Sequence, residues 1–166
     1  ALRLENGFHF DNSVNWFSIG PTPGSYPSYG AISSRITSIR VDKTNPNKIY
    51  IGAAFGGIWK SVDGRLTWSP KTDFENSLST GAIAIDHTNP NIIYYGTGEA
   101  TYSGTSYYGR GLLKSTNGGD TWTNYTTGLP NLTYFARISI SPANANLLIA
   151  ALGNSGIYRS TDAGVS

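Results

Sequence analysis

The sequence predicts an all-β chain folded as a β-propeller of four-stranded antiparallel blades, with about three blades present in an incomplete ring. Three observations predict it. A unit of about 44 residues recurs, each unit carries four short strand signals separated by turn residues, and one hairpin motif returns near the end of every unit. The recurrence is plain when "VDKTNPNKIYIGAAFGGIWKSVDGRLTW" (41–68) is laid over "IDHTNPNIIYYGTGE" (85–99) continuing into "GRGLLKSTNGGDTW" (109–122), and over "ISPANANLLIAALGNSGIYRSTDAGVS" (140–166). Asp42 recurs as Asp86 after 44 residues, whereas Ser61 recurs as Ser115 after 54. The surplus falls in "EATYSGTSYYGR", so the second unit holds a loop insertion at 99–110.

Each element follows from its local pattern. Strand A alternates apolar residues at Ile39 and Val41, at Ile83 and Ile85, and at Ile138 and Ile140. Strand B is the apolar run "KIYIGAA", "NIIYYGT" or "NLLIAAL", reached in the first two units through the Asn/Pro turns "DKTNPN" and "DHTNPN". Strand C is "GGIWKS", "RGLLKS" or "SGIYRS", and strand D begins at each Thr-Trp, as in "TWSP" and "TWTNYTT". "NWFSIGP" (15–21) reads as a strand D without its own A, B and C. Such a terminal strand closes the last blade and removes an exposed sheet edge. The chain then divides into a lead-in at 1–14, an orphan outer strand at 15–20, blade 1 at 31–76, blade 2 at 77–127, and blade 3 at 133–166, cut short within its hairpin. The partners expected for the orphan strand are the remaining blades of the same protein, beyond residue 166, so the sequence reads as a fragment of a longer chain.

Composition narrows the function. The 166 residues are 39% hydrophobic, enough for a packed core. Charged residues are 13%, the net charge is +2 and the basic residues are dispersed, so nucleic acid is not expected as a partner. There is no cysteine, hence no disulfide, thiolate metal site or thiol nucleophile. No apolar run approaches the roughly 20 residues that span a bilayer, so no membrane-spanning segment is expected. The absence of methionine and the Asn, Ser, Thr, Gly and Tyr vocabulary fit an exported bacterial protein, extracellular or on the cell surface.

The hairpins "SVDGRLTW", "STNGGDTW" and "STDAGVS" resemble the Asp-box, or BNR repeat, of the sialidase-like and sortilin-like propeller superfamily, and especially secreted bacterial propellers of glycosyl-hydrolase type. The expected structural residues are Ser61, Asp63 and Trp68, then Ser115, Asn117 and Trp122, then Ser160 and Asp162. The carboxylate accepts hydrogen bonds from turn amides, and the indoles pack between neighbouring sheets. Arg65 stands where the pattern has glycine, Asn117 where it has aspartate, and Ser166 where it has threonine. One carboxylate per turn is too few for a hard cation, so neither metal nor other cofactor is expected. Resemblance to large surface proteins of gliding and oral bacteria implies a sorting domain outside this segment and type IX secretion.

Antiparallel alternation puts the A–B and C–D turns on one face of the propeller and the B–C and D–A loops on the other. The second face then gathers Tyr26, Tyr29, Phe55, Phe74, Tyr102, Tyr107, Tyr108, Tyr134 and Phe135. Aromatic platforms suit sugars or a protein surface. The candidate ligand-binding residues are Glu99, Tyr102, Tyr107, Tyr108 and Arg110, in or beside the insertion, because added function concentrates in long loops. The alternative reading is that most of these rings merely cover the ends of the blades.

Catalysis has less support. Glycosidases need two carboxyl groups about one bond, and this face offers Asp73, Glu75 and Glu99 without a recognisable pair. In the xyloglucan-cleaving propellers that the chain resembles in layout, a catalytic aspartate precedes the Gly-Gly of the first B–C segment, and Ala54 stands there. Arg35, Arg110 and Arg137 do not occupy the equivalent blade positions a sialidase arginine triad requires. His9 and His87 have no partners for a triad or a ligand cluster. No catalytic residue is assigned. The preferred expectation is a secreted or cell-surface interaction module for polysaccharide, glycoprotein or another surface protein, and the alternative is the N-terminal part of a propeller glycoside hydrolase.

Overall fold

A computed structural model describes residues 35–101, 104, 106–153 and 155–166, together with the backbone of 24–26 and 30–32. The orphan strand expected at 15–20, His9 and Tyr102 lie outside the described residues. All described regular structure is β. In chain order the strands are β1 (Gly24–Tyr26), β2 (Gly30–Ile32), β3 (Ile36–Val41), β4 (Ile49–Ala53), β5 (Gly57–Ser61), β6 (Ser69–Pro70), β7 (Thr80–Ile85), β8 (Ile93–Thr97), β9 (Leu112–Ser115), β10 (Thr123–Tyr125), β11 (Phe135–Ser141), β12 (Asn144–Leu152) and β13 (Gly156–Ser160). Two antiparallel four-stranded sheets, β3-β4-β5-β6 and β7-β8-β9-β10, are followed by the three-stranded β11-β12-β13. They are the blades of an open propeller arc. The stretch read as a loop at 21–30 instead supplies a strand of the small β1-β2 hairpin, in which Gly24 pairs with Ile32 and Tyr26 with Gly30.

The sheets stack through their inner strands: β7 of the second sheet contacts both β3 and β11. The apolar runs of strand B have a physical reason here. Every residue of β4 and of β8 is buried, and for β8 the reason is that the second sheet has a neighbouring sheet on each face. The third sheet shows the contrast: Ile149 and Ile157 are exposed. Two clusters form the core. One joins Tyr50 and Ile58 of the first sheet to Ile83, Ile93, Tyr95 and Leu113 of the second, with Trp122 packed against it. The other joins Ala82, Ala84, Tyr94 and Leu112 of the second sheet to Phe135, Ile138, Leu148 and Leu152 of the third.

The C–D hairpins are closed by their own side chains. Ser61 Oγ accepts from the Arg65 amide at 2.7 Å and donates to Asp63 Oδ1 at 2.9 Å, while Asp63 accepts from the Thr67 amide at 3.0 Å and hydroxyl at 2.6 Å. Ser160, Asp162, Gly164 and Ser166 repeat the pattern, with serine supplying the hydroxyl of the usual threonine. Asn117 keeps it by splitting the job: its Oδ1 accepts from the Thr121 amide at 2.9 Å and its Nδ2 donates to the Thr121 hydroxyl at 2.8 Å. The Thr67 hydroxyl and amide, with Ser61, hold the Asp63 carboxyl down at about 2. The Ser166 and Ser160 hydroxyls hold Asp162 well below the usual carboxylate range. The turns need left-handed backbone, and Arg65 adopts it at φ 83° where glycine would do so freely.

The A–B turn is anchored in the same manner, which the Asn/Pro reading did not anticipate. Asp42 Oδ1 accepts from the Thr44 amide and hydroxyl, and Asp86 does the same with Thr88. Amides of the C–D hairpins then reach A–B carbonyls: Gly64 to Asn47 at 3.0 Å, Gly118 to Asn91 at 2.8 Å and Ala163 to Asn146 at 2.9 Å. Both turns of every sheet therefore sit at one end.

Candidate functional site

The B–C and D–A connections meet at the opposite end, where backbone bonds knit one sheet to the next. The Gly57 amide donates to Leu78 O, Phe135 to Gly98 O and Gly109 to Thr133 O, while the Gly98 amide, donating to Ser79 O, extends the second sheet's own β7-β8 pairing. Strand A opens with a register shift at the same place in all three sheets, between Ile36 and Ser38, Thr80 and Ala82, and Phe135 and Arg137. A bulge there turns the chain out of the ladder toward the loops. The approach is so close at Gly81 that a Cβ would lie 2.0 Å from Phe135 O and 2.2 Å from Gly98 O. A larger residue at that position would push the second and third sheets apart.

On this frame the aromatic side chains pair. Phe55, from the first B–C turn, lies against Tyr107 of the insertion with centroids 4.5 Å apart and planes tilted by 35°. Tyr108 stacks on Tyr134, from the loop before β11, at 4.6 Å and 27°. Phe55, Tyr107 and Tyr108 remain 59%, 53% and 51% exposed, so each pair keeps ring surface toward solvent. The insertion is pinned from below: Tyr107 O accepts from the Ser79 hydroxyl at 3.1 Å and from the Glu99 amide at 3.2 Å. Neighbouring residues 107 and 108 thus lean on opposite neighbours, the first sheet and the third. Phe74 is fully exposed, whereas Phe135 turns inward and is part of the core, correcting its placement among the loop rings.

Between the pairs Glu99 is buried at 1% exposure and closed by a bidentate ion pair. Arg35 Nε donates to Oε1 at 2.8 Å, Nη2 to Oε2 at 2.7 Å, and the Thr101 hydroxyl to Oε1 at 2.6 Å. A carboxylate with both oxygens so occupied is a brace between the first sheet and the insertion. Sequence reasoning weighed Arg35 only as a triad arginine and missed its pairing with Glu99, because nothing in the pattern ties it to a glutamate 64 positions away. Arg110 lies apart from both, lining a cleft of about 510 Å³ with Asn76, Asn124 and Asn131. Arg137 lines other clefts, with Arg40, so the three arginines do not converge. Of the loop-face acids, Asp73 is exposed and Glu75 is pushed up by burial. Ala54, 8% exposed, bonds through its amide to Arg35 O and offers no acid. His87 is exposed on the opposite end, its Nε2 3.2 Å from Pro142 O. Among the described residues no cluster of three His, Cys, Asp or Glu is disposed to hold a metal ion.

No protein-family model matches the chain, and no curated protein matches it. Solved structures do. An ancestral GH74 enzyme is similar with TM-score 0.66 and 27% identity, covering 79% of this chain and 18% of its own. The GH74 xyloglucanase from Xanthomonas campestris matches with TM-score 0.66 and 19% identity over 92% of this chain and 22% of its own. YCF48 bound to D1 peptide matches with TM-score 0.55 and 17% identity over 80% of this chain and 39% of its own. The chain spans about a fifth of the length of the GH74 structures. These likenesses bear out the β-propeller. No helix among the described residues is long and apolar enough to cross a membrane.

Proposed function

We propose that the chain is part of an exported propeller module that binds polysaccharide or glycoprotein through its loop face. The observation that carries the proposal is the two aromatic pairs, Phe55 with Tyr107 and Tyr108 with Tyr134, in which Phe55, Tyr107 and Tyr108 are each about half exposed. Aromatic faces with polar neighbours bind the apolar faces of sugar rings, and the cleft that Arg110 shares with Asn76, Asn124 and Asn131 offers amide donors and acceptors. Tyr102 belongs to the same loop. The Ser-Asp hairpins at the other end are Asp-box staples of a BNR-type propeller and take no part in binding. Location outside the cell or on its surface, by a type IX route, goes with this proposal, as does a protein surface as the second kind of partner.

The test is affinity electrophoresis and calorimetry against xyloglucan and other soluble polysaccharides. The chain should bind, and Phe55→Ala with Tyr108→Ala should lose at least tenfold in affinity with the melting temperature unchanged. Failure of every polysaccharide to bind, or binding untouched by those substitutions, overturns it.

The likeness to GH74 structures favours one further reading, the front part of a propeller glycoside hydrolase. Against it, Ala54 is apolar and Glu99 is committed to Arg35. Release of reducing ends from xyloglucan by the chain would establish it, and the absence of any release alongside binding would leave the binding module.

A further inference from the structure

Two arginines from different sheets come together on the inner strands. Arg40 of β3 and Arg137 of β11 line two clefts in common, one of about 410 Å³ that runs to the A–B turns and another of about 270 Å³. Between them lies β7, which contacts both strands. Register puts Ala84 of β7 where β3 has Arg40, and Ala82 where β11 has Arg137. Ala84 lines the larger cleft and Ala82 the smaller, so the strand between the two long side chains carries only methyl groups at the matching positions.

The charges here are unbalanced. Among the described residues neither guanidinium has an ion-pair partner. The acids that line the larger cleft, Asp42 and Asp86, are buried and already accept from Thr44 and Thr88. Lys43 and His87 line it too and add no negative charge. Arg40 is half-buried and donates from Nη1 to Ile39 O at 2.7 Å. Burial first, and the Arg137 charge second, push Arg40 down from its ordinary value, yet a guanidinium keeps its proton in a protein. A charge that is partly desolvated beside a like charge costs free energy until a counter-charge meets it.

We propose that Arg40 and Arg137 bind one doubly charged tetrahedral oxyanion, a phosphate or a sulfate, free or as the monoester group of a larger molecule. Each guanidinium offers parallel N–H donors that match two oxygens of one anion. A carboxylate has one charge and two oxygens, which a single arginine uses up, whereas a tetrahedral dianion has charge and oxygens for both. The site is separate from the loop-end platforms, since among the described residues no aromatic ring lines either cleft.

The test is calorimetric titration of the 166-residue chain with inorganic phosphate, inorganic sulfate, glucose 6-phosphate and glucose 6-sulfate, at an ionic strength held constant with sodium chloride. One saturable site should appear, and Arg40→Gln or Arg137→Gln should each weaken it by roughly tenfold or more. Tighter binding of the esters assigns the site to a group on a larger molecule and tighter binding of the inorganic ions to a free anion; either result supports the site. In chloride alone the two variants should melt no lower than the unsubstituted chain, because each relieves a repulsion. Added phosphate should raise the melting temperature of the unsubstituted chain alone. It should also slow phenylglyoxal modification of Arg40 and Arg137 in that chain while leaving the exposed Arg110 unaffected. The proposal is overturned if none of the four anions saturates, if both substitutions leave binding untouched, or if Arg110 is protected equally. A lower melting temperature of either variant in chloride overturns it as well, since the guanidinium group would then be serving the fold.

Discussion

Between the first and second sheets the protein sets polar bonds around an indole; between the second and third, the same positions hold an apolar stack with fewer ties. In the first interface Trp122 Nε1 donates to Lys71 O at 2.9 Å, the Lys71 ammonium meets Asp120 at 2.8 Å, and Tyr50 donates to Gly118 O. The ammonium holds Asp120 below the usual carboxylate range. In the second interface Val165 stands where Asp120 does, Tyr125 where Lys71 does, and the Tyr94 hydroxyl is orphaned. What persists in both is a lysine bond, Lys60 to Gly118 O at 2.8 Å and Lys114 to Ala163 O at 2.9 Å, over a tyrosine ring. The difference separates two jobs. Apolar burial stacks the sheets in both places, whereas the indole and its hydrogen bonds fix how closely and in what register they stack.

The largest expected effect comes from stripping the first interface down to the second. Trp122→Ala removes the ring packed on the Tyr50, Ile58, Ile93 and Tyr95 cluster together with its bond to Lys71, and should cost about 3 kcal/mol in urea unfolding. A cost below about 1 kcal/mol would mean that the cluster carries the interface without the indole.

A smaller change separates the two tyrosines by sign. Tyr50→Phe loses a buried hydrogen bond and should destabilise by about 1 kcal/mol. Tyr94→Phe removes a buried hydroxyl that has no partner and should be neutral or stabilising. Burial pushes the Tyr94 phenol up to about 12, so it stays protonated through the neutral range and charge does not confuse the comparison. Equal losses in thermal melts of the two variants would show that the interfaces are not distinguished by this bond.

Much of the fold was legible because the repeat was. Alternation in strand A, apolar runs in strand B, and the Ser-Asp or Ser-Asn hairpins each follow from a local rule, and the structure places them in successive sheets. Alternation alone also separated the two ends, and the bonds from Gly64, Gly118 and Ala163 to the A–B turns bear that out. The loop end was legible in content but not in pairing. Composition gathers Tyr107, Tyr108 and Tyr134 there, yet which ring meets which depends on how the insertion is pinned by Ser79 and Glu99. Arg35 and Glu99 come from different sheets, so no spacing in the sequence links them. Phe135 was misplaced for a related reason: the bulge at the start of β11 sets which of Tyr134 and Phe135 faces inward, and no pattern announces a bulge.

The smallest effect tests the side-chain bonds that close the C–D hairpins. Asp63 has its folded value near 2, against an ordinary 3.8, because the Thr67 hydroxyl and amide and Ser61 all stabilise the charged form. A carboxylate depressed on folding contributes its full share of stability above its unfolded value and loses it as the pH falls through the folded one. The first hairpin should therefore weaken between about pH 4 and pH 2. The second should not, because Asn117 makes the corresponding bonds without a titrating group. Amide exchange at Thr67 should rise over that window while exchange at Thr121 stays flat. Asp63→Asn should abolish the rise at Thr67, and Asn117→Asp should create one at Thr121. If Thr121 in the unsubstituted chain loosens in step with Thr67, the acid sensitivity belongs to the stacked sheets as a whole, and the hairpins follow the interfaces instead of setting them.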